Sequence, residues 1–252
     1  MTPLVSLRAV SKTFDNGAVV LDALDLDVFP GETLTLLGPS GCGKSTALRL
    51  IAGVASPTHG EISWSSEEAR QGIGFVFQDA TLLPWANVFA NVYLPLRLAG
   101  VDRREAEPRV LDALAMVRLE SARDAFPREL SGGMKMRCAI ARALVTRPKL
   151  LLMDEPFAAL DEVTRFNLND ELIELKRRTH TTIVFVTHSV AESVYLSTRV
   201  VVLSSGGGRV IGEIVIDPTA PRDAEFRLGA EFSAHARRAS AALLRAMGQP
   251  QL

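Results

Sequence analysis

Eight residues limit the possible fold more than any others in this chain. A buried-strand run at residues 32–37 leads into Gly38-Pro39-Ser40-Gly41-Cys42-Gly43-Lys44-Ser45, and a helical pattern follows over residues 44–52. The octapeptide matches G-x-x-x-x-G-K-[ST] in the strand, loop and helix context that gives the motif its meaning. Glycines let backbone N–H groups turn inward around phosphate oxygens, and the start of the following helix adds its positive end. Lys44 is then expected to reach the β- and γ-phosphates and Ser45 to ligate Mg²⁺, with Thr46 completing the nucleotide-binding stretch. A strand feeding a helix through such a loop is half of a βαβ unit, which points to an α/β fold.

A second acidic motif extends the same chemistry. Lys149-Leu150-Leu151-Leu152-Met153-Asp154-Glu155 places two carboxylates at the end of an apolar strand. Ligands of parallel sheets sit outside the carboxyl ends of the strands, so Asp154 is expected to support Mg²⁺. Glu155, one residue on, is the candidate general base for the attacking water. These two motifs describe a nucleoside triphosphatase and leave GTPase, helicase, kinase and transporter open.

The rest of the chain sets the frame. Its 252 residues allow one large α/β domain or two small ones. With 28 Lys and Arg against 29 Asp and Glu, it lacks the basic excess of a dedicated nucleic-acid binder. Cys42 and Cys138 are too few for a disulfide framework and no leader pattern stands at Met1, so a reduced, cytosolic setting is expected. The longest uncharged stretch, residues 80–96, is interrupted by Pro84, Asn87, Asn91 and Pro95 and is too short for a bilayer span.

Short β-rich runs at 4–10, 18–21 and 23–29, with Asn16-Gly17 as a hairpin signal, predict an antiparallel portion at the front. Strands are expected at 60–64 and 73–77. From 87 to 126 the pattern turns helical, with Val110, Leu111, Leu114 and Val117 as an apolar stripe. Alternation then resumes: helix 133–146, strand 149–153, helix 162–178, strand 181–186, helix 189–196, and strands 199–203 and 209–216. The expected fold is therefore an α/β P-loop NTPase with a mostly parallel sheet, an antiparallel N-terminal β portion and an inserted helical subdomain. Residues 1–252 are read as a single domain, with a core at about 4–216, the insertion at about 87–131 and a helical tail at about 221–252.

Leu130-Ser131-Gly132-Gly133 precedes a helix, and here the chain resembles the ATP-binding-cassette (ABC) ATPases, whose second diagnostic element is this tetrapeptide. Read physically, Ser131, Gly132 and Gly133 at a helix N-terminus form a compact anion site. Alone, the same residues read as an ordinary helix cap. The resemblance covers roughly residues 4–216 and implies roles for further positions. Phe14 matches the aromatic that stacks on adenine, and Gln78 the glutamine that senses Mg²⁺ and the water. Asp161, in Ala158-Ala159-Leu160-Asp161, belongs to a loop that crosses the dimer, and His188 matches the histidine that contacts the γ-phosphate. It also implies a homodimer in which each ATP lies between the phosphate loop of one copy and Ser131-Gly132-Gly133 of the other. Two positions depart from the family pattern: Met134 and Met136 stand where Gln is usual, whereas Arg137 is retained. A thioether cannot replace amide hydrogen bonds, so the backbone and Ser131 are left as the phosphate contacts of this element.

Residues 78–85, Gln78-Asp79-Ala80-Thr81-Leu82-Leu83-Pro84-Trp85, together with Thr187-His188-Ser189-Val190-Ala191-Glu192, resemble the nitrate, sulfonate and taurine importer group. The resemblance implies an ATPase at the cytoplasmic face of the inner membrane. Its partners would be integral-membrane permease subunits and, indirectly, a periplasmic or extracellular solute-binding protein, with no nucleic acid. Leu83, Trp85 and Phe89 are expected to be exposed and to suit a permease helix, the plainer reading being that they pack against the insertion. Bicarbonate or a pyrimidine precursor is also compatible as solute. Two other classes remain as alternatives: a soluble cassette ATPase of DNA repair or translation, which usually carries tandem cassettes, coiled coils or basic arms, and a GTPase, whose guanine-reading Asn-Lys-x-Asp does not occur.

Overall fold

The computed structural model describes residues 1–248; of the expected tail, residues 249–252 lie outside the described part. The chain runs β1 (Val5–Thr13), β2 (Val19–Val28), β3 (Thr33–Leu37), α1 (Lys44–Ile51), β4 (His59–Trp64), α2 (Glu67–Gln71) and β5 (Ile73–Val76). It continues with α3 (Val88–Leu98), α4 (Arg103–Met116), α5 (Gly132–Leu144), β6 (Leu150–Asp154), α6 (Glu162–Thr179), β7 (Thr182–Thr187) and α7 (Val190–Leu196). The last elements are β8 (Arg199–Leu203), β9 (Val210–Val215), α8 (Ala224–Leu228) and α9 (Ala230–Ala246). Two compact units result: Met1–Gln71 with the described residues from Thr181 onward, and Gly72–His180.

The first unit contains two β structures. One is antiparallel, in the order β2-β1-β4, and buries Leu7, Leu21 and Leu24. The 18–21 and 23–29 runs expected as separate strands are one strand, β2, because its irregularities are satisfied by side chains. Ala9 and Ala23 adopt positive φ, of 47° and 52°. Their N–H groups, displaced from the ladder, donate to Asp25 Oδ1 at 2.8 Å and Ser11 Oγ at 2.9 Å. Unpaired backbone N–H groups would otherwise weaken the pairing. A Cβ at position 60 would lie 2.3 Å from the Ala9 carbonyl oxygen, so the β1–β4 approach requires Gly60.

In the other β structure β3 lies between β7 and β8, parallel to both, and β9 closes the edge antiparallel to β8. Every residue of β3 and β7 is buried, as expected for strands covered on both faces. Arg199 on β8 forms a two-pronged pair with Glu32, at 3.0 and 2.8 Å. Burial lowers its affinity for the proton, but Glu32 and Glu213 outweigh that and raise the net pKa. The tail is packed: α9 lies on α7, β8 and β9, and Ser205 N–H and Oγ–H both donate to the Ala246 carbonyl.

In the second unit β5 and β6 pair in parallel. A Cβ at Gly74 would lie 2.8 Å from the Ala143 carbonyl, which brings α5 directly onto β5. Of the expected stripe, Val110, Leu114 and Val117 are buried and Leu111 is half-buried. Phe89 corrects the sequence reading, since it is only 2% exposed. The Arg103 and Arg123 guanidinia lie over its ring, 5.1 and 5.3 Å from the centroid. No helix among the described residues is long and apolar enough to cross a membrane.

Candidate active site

The phosphate loop leaves β3 at Gly38, where a Cβ would come within 2.7 Å of Cys42 Sγ and 2.9 Å of the Leu203 carbonyl. Gly43 caps α1 with φ 101° and is pressed on Val20, whose carbonyl would be 2.7 Å from an added Cβ. Both demands exclude side chains and keep the backbone at the surface of the loop. Pro39 is half-buried and Ser40 and Gly41 are exposed, whereas Cys42 is buried. Lys44 is 4% exposed, and its Nζ spans the loop to the carbonyls of Gly38 and Pro39, each at 2.9 Å. Ser45 and Thr46 are half-buried on the first turn of the helix.

Register brings His188 to the same edge. Leu37, the last residue of β3, pairs with Thr187, the last of β7, so the phosphate loop and exposed His188 leave adjacent strands at the same level. Phe14 lies past the end of β1, 45% exposed, with Lys12 Nζ 5.7 Å from its ring centre. A core role for Phe14 is thus excluded.

The second unit repeats the arrangement. Val76 pairs with Met153, so exposed Gln78 after β5 and the Asp154-Glu155 pair at the end of β6 share one edge. Asp154 is 7% exposed. Glu155 is half-buried and adopts φ 46°, a left-handed conformation that turns the chain sharply after the strand. Glu155 C=O accepts from Ala158 N–H at 3.2 Å and closes that turn.

Ser131 caps α5, its Oγ accepting from Met134 N–H at 3.3 Å, and is exposed together with Gly132. A Cβ at Gly133 would lie 2.7 Å from Thr164 Cγ2, and one at Gly132 would lie 3.3 Å from Leu160 Cδ2. The signature residues and the Asp161 loop are therefore brought together within one unit. Asp161 caps α6 with its Oδ1 accepting from Thr164 N–H at 2.9 Å. Hydrogen bonds from the Thr164 side chain and backbone hold its carboxyl below the usual range. Met134 is half-buried and Met136 buried, and Arg137 makes a two-pronged contact with Glu171 of α6 at 2.9 and 2.7 Å.

The sequence reading missed how the segment after Gln78 is held. Arg142 of α5 donates to the carbonyls of Thr81 and Ala80 at 2.9 and 2.8 Å and to Thr81 Oγ1 at 3.0 Å. Burial lowers the pKa of this guanidinium. Asn91, fully buried on α3, accepts from Leu83 N–H at 2.7 Å and donates to the carbonyls of Leu83, Ala86 and Asn87. Arg142 stands on the otherwise apolar buried face of α5, and that mismatch was the available signal. The clamped segment presents Trp85, 75% exposed, with Leu82 and Leu83 half-buried.

A glycine loop closing on a buried lysine, and an acidic pair at the end of a parallel strand, define the class of P-loop nucleoside triphosphatases. The signature of the ABC transporter family spans residues 21–158, more than half of the chain. The chain belongs to that family, with the ABC ATPase fold, and is an ATP-binding, ATP-hydrolysing subunit of a transporter. It is similar to the ABC transporter ATP-binding protein MJ0412 of Methanocaldococcus jannaschii (strain ATCC 43067), 45% identical over 87% of this chain and 84% of that protein. It is also similar to the spermidine/putrescine import ATP-binding protein PotA of Vibrio vulnificus (strain YJ016), 45% identical over 81% of this chain and 55% of that protein. Among solved structures it resembles one chain of the dimeric structure of MJ0796, a bacterial ABC transporter cassette. The TM-score is 0.74 at 33% identity, over 84% of this chain and 98% of that one. The same cassette is known in a post-hydrolysis state bound to ADP and Pi.

Proposed function

We propose that this chain powers an importer: two identical copies close around two ATP molecules and drive a separate permease to take up a small solute of the nitrate, sulfonate or taurine class. The observation that carries the hydrolytic part is the pair of registers, Leu37 with Thr187 and Val76 with Met153. Each sets candidate phosphate-side groups at the carboxyl end of parallel strands, where α/β folds bind ligands. Import is supported by the stretches at 78–85 and 187–192 and by the printed function of PotA. The exposed position of Ser131 and Gly132 supports action on a second copy, as does the dimeric state of MJ0796.

In this reading residues 1–252 act as one ATPase domain, peripheral at the cytoplasmic face of the inner membrane. Residues 38–46 wrap the triphosphate, Lys44 neutralises it and Phe14 stacks on the adenine. Ser131, Gly132, Gly133 and Asp161 act on the nucleotide of the other copy. Ser45, Gln78 and Asp154 fit Mg²⁺, because a hydroxyl, an amide carbonyl and a buried carboxylate are the oxygen donors this ion takes. The bound ion would offset charge building up on the phosphates. Glu155 accepts the proton of the attacking water, and His188 steadies the γ-phosphate. Closure draws the permease segments held near Leu82 to Trp85 together, and hydrolysis releases the dimer. A solute-binding protein delivers cargo to the permease and does not touch this chain.

Co-expression with the adjacent permease and binding protein, reconstitution in liposomes and a solute screen test the reading. Stimulation of ATP hydrolysis by nitrate, a sulfonate or taurine is expected. Stimulation by spermidine or putrescine alone would overturn the solute class. Co-purification with DNA or ribosomes in place of a permease would overturn the importer.

A further inference from the structure

We infer that Thr187 and Glu192 are positioning residues for His188, acting through a closed ring of hydrogen bonds around the turn that carries it. The inference rests on the assignment of His188 to the γ-phosphate proposed above. Thr187, 2% exposed, ends β7, and the chain then emerges at exposed His188. Ser189 N–H folds back onto Thr187 Oγ1 at 3.0 Å. A side-chain oxygen accepting from the amide two residues on closes a tight turn, and His188 is its central residue.

The Thr187 hydroxyl has one proton. It goes to Glu192 Oε2, 2.5 Å away, which leaves the oxygen lone pairs to face the Ser189 amide. Glu192 is 7% exposed and sits in the first turn of α7. Its own N–H donates to Ser189 Oγ at 3.3 Å, and Ser193 N–H donates to the Ser189 carbonyl at 3.0 Å. Both flanks of His188 are thus tied to Glu192, Thr187 through the buried carboxylate and Ser189 through the backbone N–H of Glu192.

This differs from an ordinary helix start. Ser189 and Glu192 have the S-x-x-E spacing of a capping box, in which the glutamate would return directly to the Ser189 N–H. Here the Thr187 hydroxyl is interposed, taking the amide itself and passing its proton to Glu192. A helix cap alone needs no such relay. The relay couples the end of β7 to the start of α7 and removes backbone freedom at the residue between them. Because Thr187 pairs with Leu37, the histidine is held at the level where the phosphate loop begins. Reacting groups misplaced by about 1 Å lose rate on the order of 100-fold, so a fixed turn has a kinetic consequence.

The test compares Thr187→Val, Thr187→Ser, Glu192→Ala, Glu192→Gln and His188→Ala, reading kcat, KM for ATP and the stoichiometry of nucleotide binding. Thr187→Val and Glu192→Ala are expected to lower kcat by about 10- to 100-fold with KM and stoichiometry unchanged. Thr187→Ser keeps the hydroxyl, Glu192→Gln keeps an acceptor oxygen, and both are expected to recover most of the rate. In a His188→Ala background, Thr187→Val should cause no further loss, because a positioning residue has nothing left to position. Losses that multiply in the double variant, or a parental kcat for Thr187→Val, would overturn the inference. A parental kcat for His188→Ala would instead overturn the assignment of His188. Should Glu192→Ala fail to fold, the Thr187→Val and Thr187→Ser pair decides the matter.

Discussion

Two glycine-rich helix starts look alike in the sequence and are built in opposite ways. At α1 the cap is Gly43, left-handed and wedged against Val20, and buried Lys44 bridges two loop carbonyls. The α1 start has no side-chain cap, and the Lys44 ammonium closes the loop on its own backbone carbonyls. At α5 the cap is Ser131, extended and exposed, with its oxygen already accepting from Met134 N–H. Its glycines answer to a neighbouring helix, since Thr164 of α6 leaves no room for a side chain at Gly133. In the proposed function the first start encloses a polyanion within its own chain, and the second, with Ser131 and Gly132 exposed, completes another copy's site.

That contrast can be broken by substitution. Gly43→Ala combines a left-handed backbone with a clash against a carbonyl, and should cost about 3 kcal/mol of stability in denaturant unfolding. Gly41 also has positive φ, 78°, but faces open space, so Gly41→Ala should cost only about 1 kcal/mol. Equal costs at the two positions would remove the argument that the cradle is wedged. Next in size, Lys44→Ala should weaken ATP binding by about 30-fold, or 2 kcal/mol, in equilibrium titration, the range for hydrogen bonds to a charged partner. Gly133→Ala should destabilise by about 1–2 kcal/mol, and Thr164→Ser, which removes the offending methyl, should restore most of it. The smallest effect, about 1 kcal/mol in thermal unfolding, is expected for Ser131→Ala through loss of the cap.

Much of this was legible in the sequence because the relevant signals are local. The Asn16-Gly17 turn, the β3-loop-α1 unit and the strand ending in Asp154 each lie within one continuous stretch, and the bounds of β3, α1 and β6 moved by only one residue. What escaped depends on distant partners. Nothing near Ala23 announces that Ser11 will accept its amide and keep β2 whole. Phe89 reads as an exposed aromatic at the start of the helical segment, yet Arg103 and Arg123 cover it. The short α2 carries no apolar period and was not expected at all. At the site, residue types and order were readable, whereas the strand registers that align them, and the Arg142 and Asn91 clamps on the segment after Gln78, were not.

The central claim, that Glu155 takes the water's proton while Ser131-Gly132-Gly133 closes on the ATP of a second copy, meets its most direct test in the Glu155→Gln chain with ATP and Mg²⁺. Sedimentation velocity and ATP turnover are read together. The account predicts turnover lowered by at least about 100-fold, ATP binding retained, and a dimer that forms only with ATP and is lost when Ser131→Arg is added. Hydrolysis at the parental rate, or a monomer at saturating ATP, would contradict it.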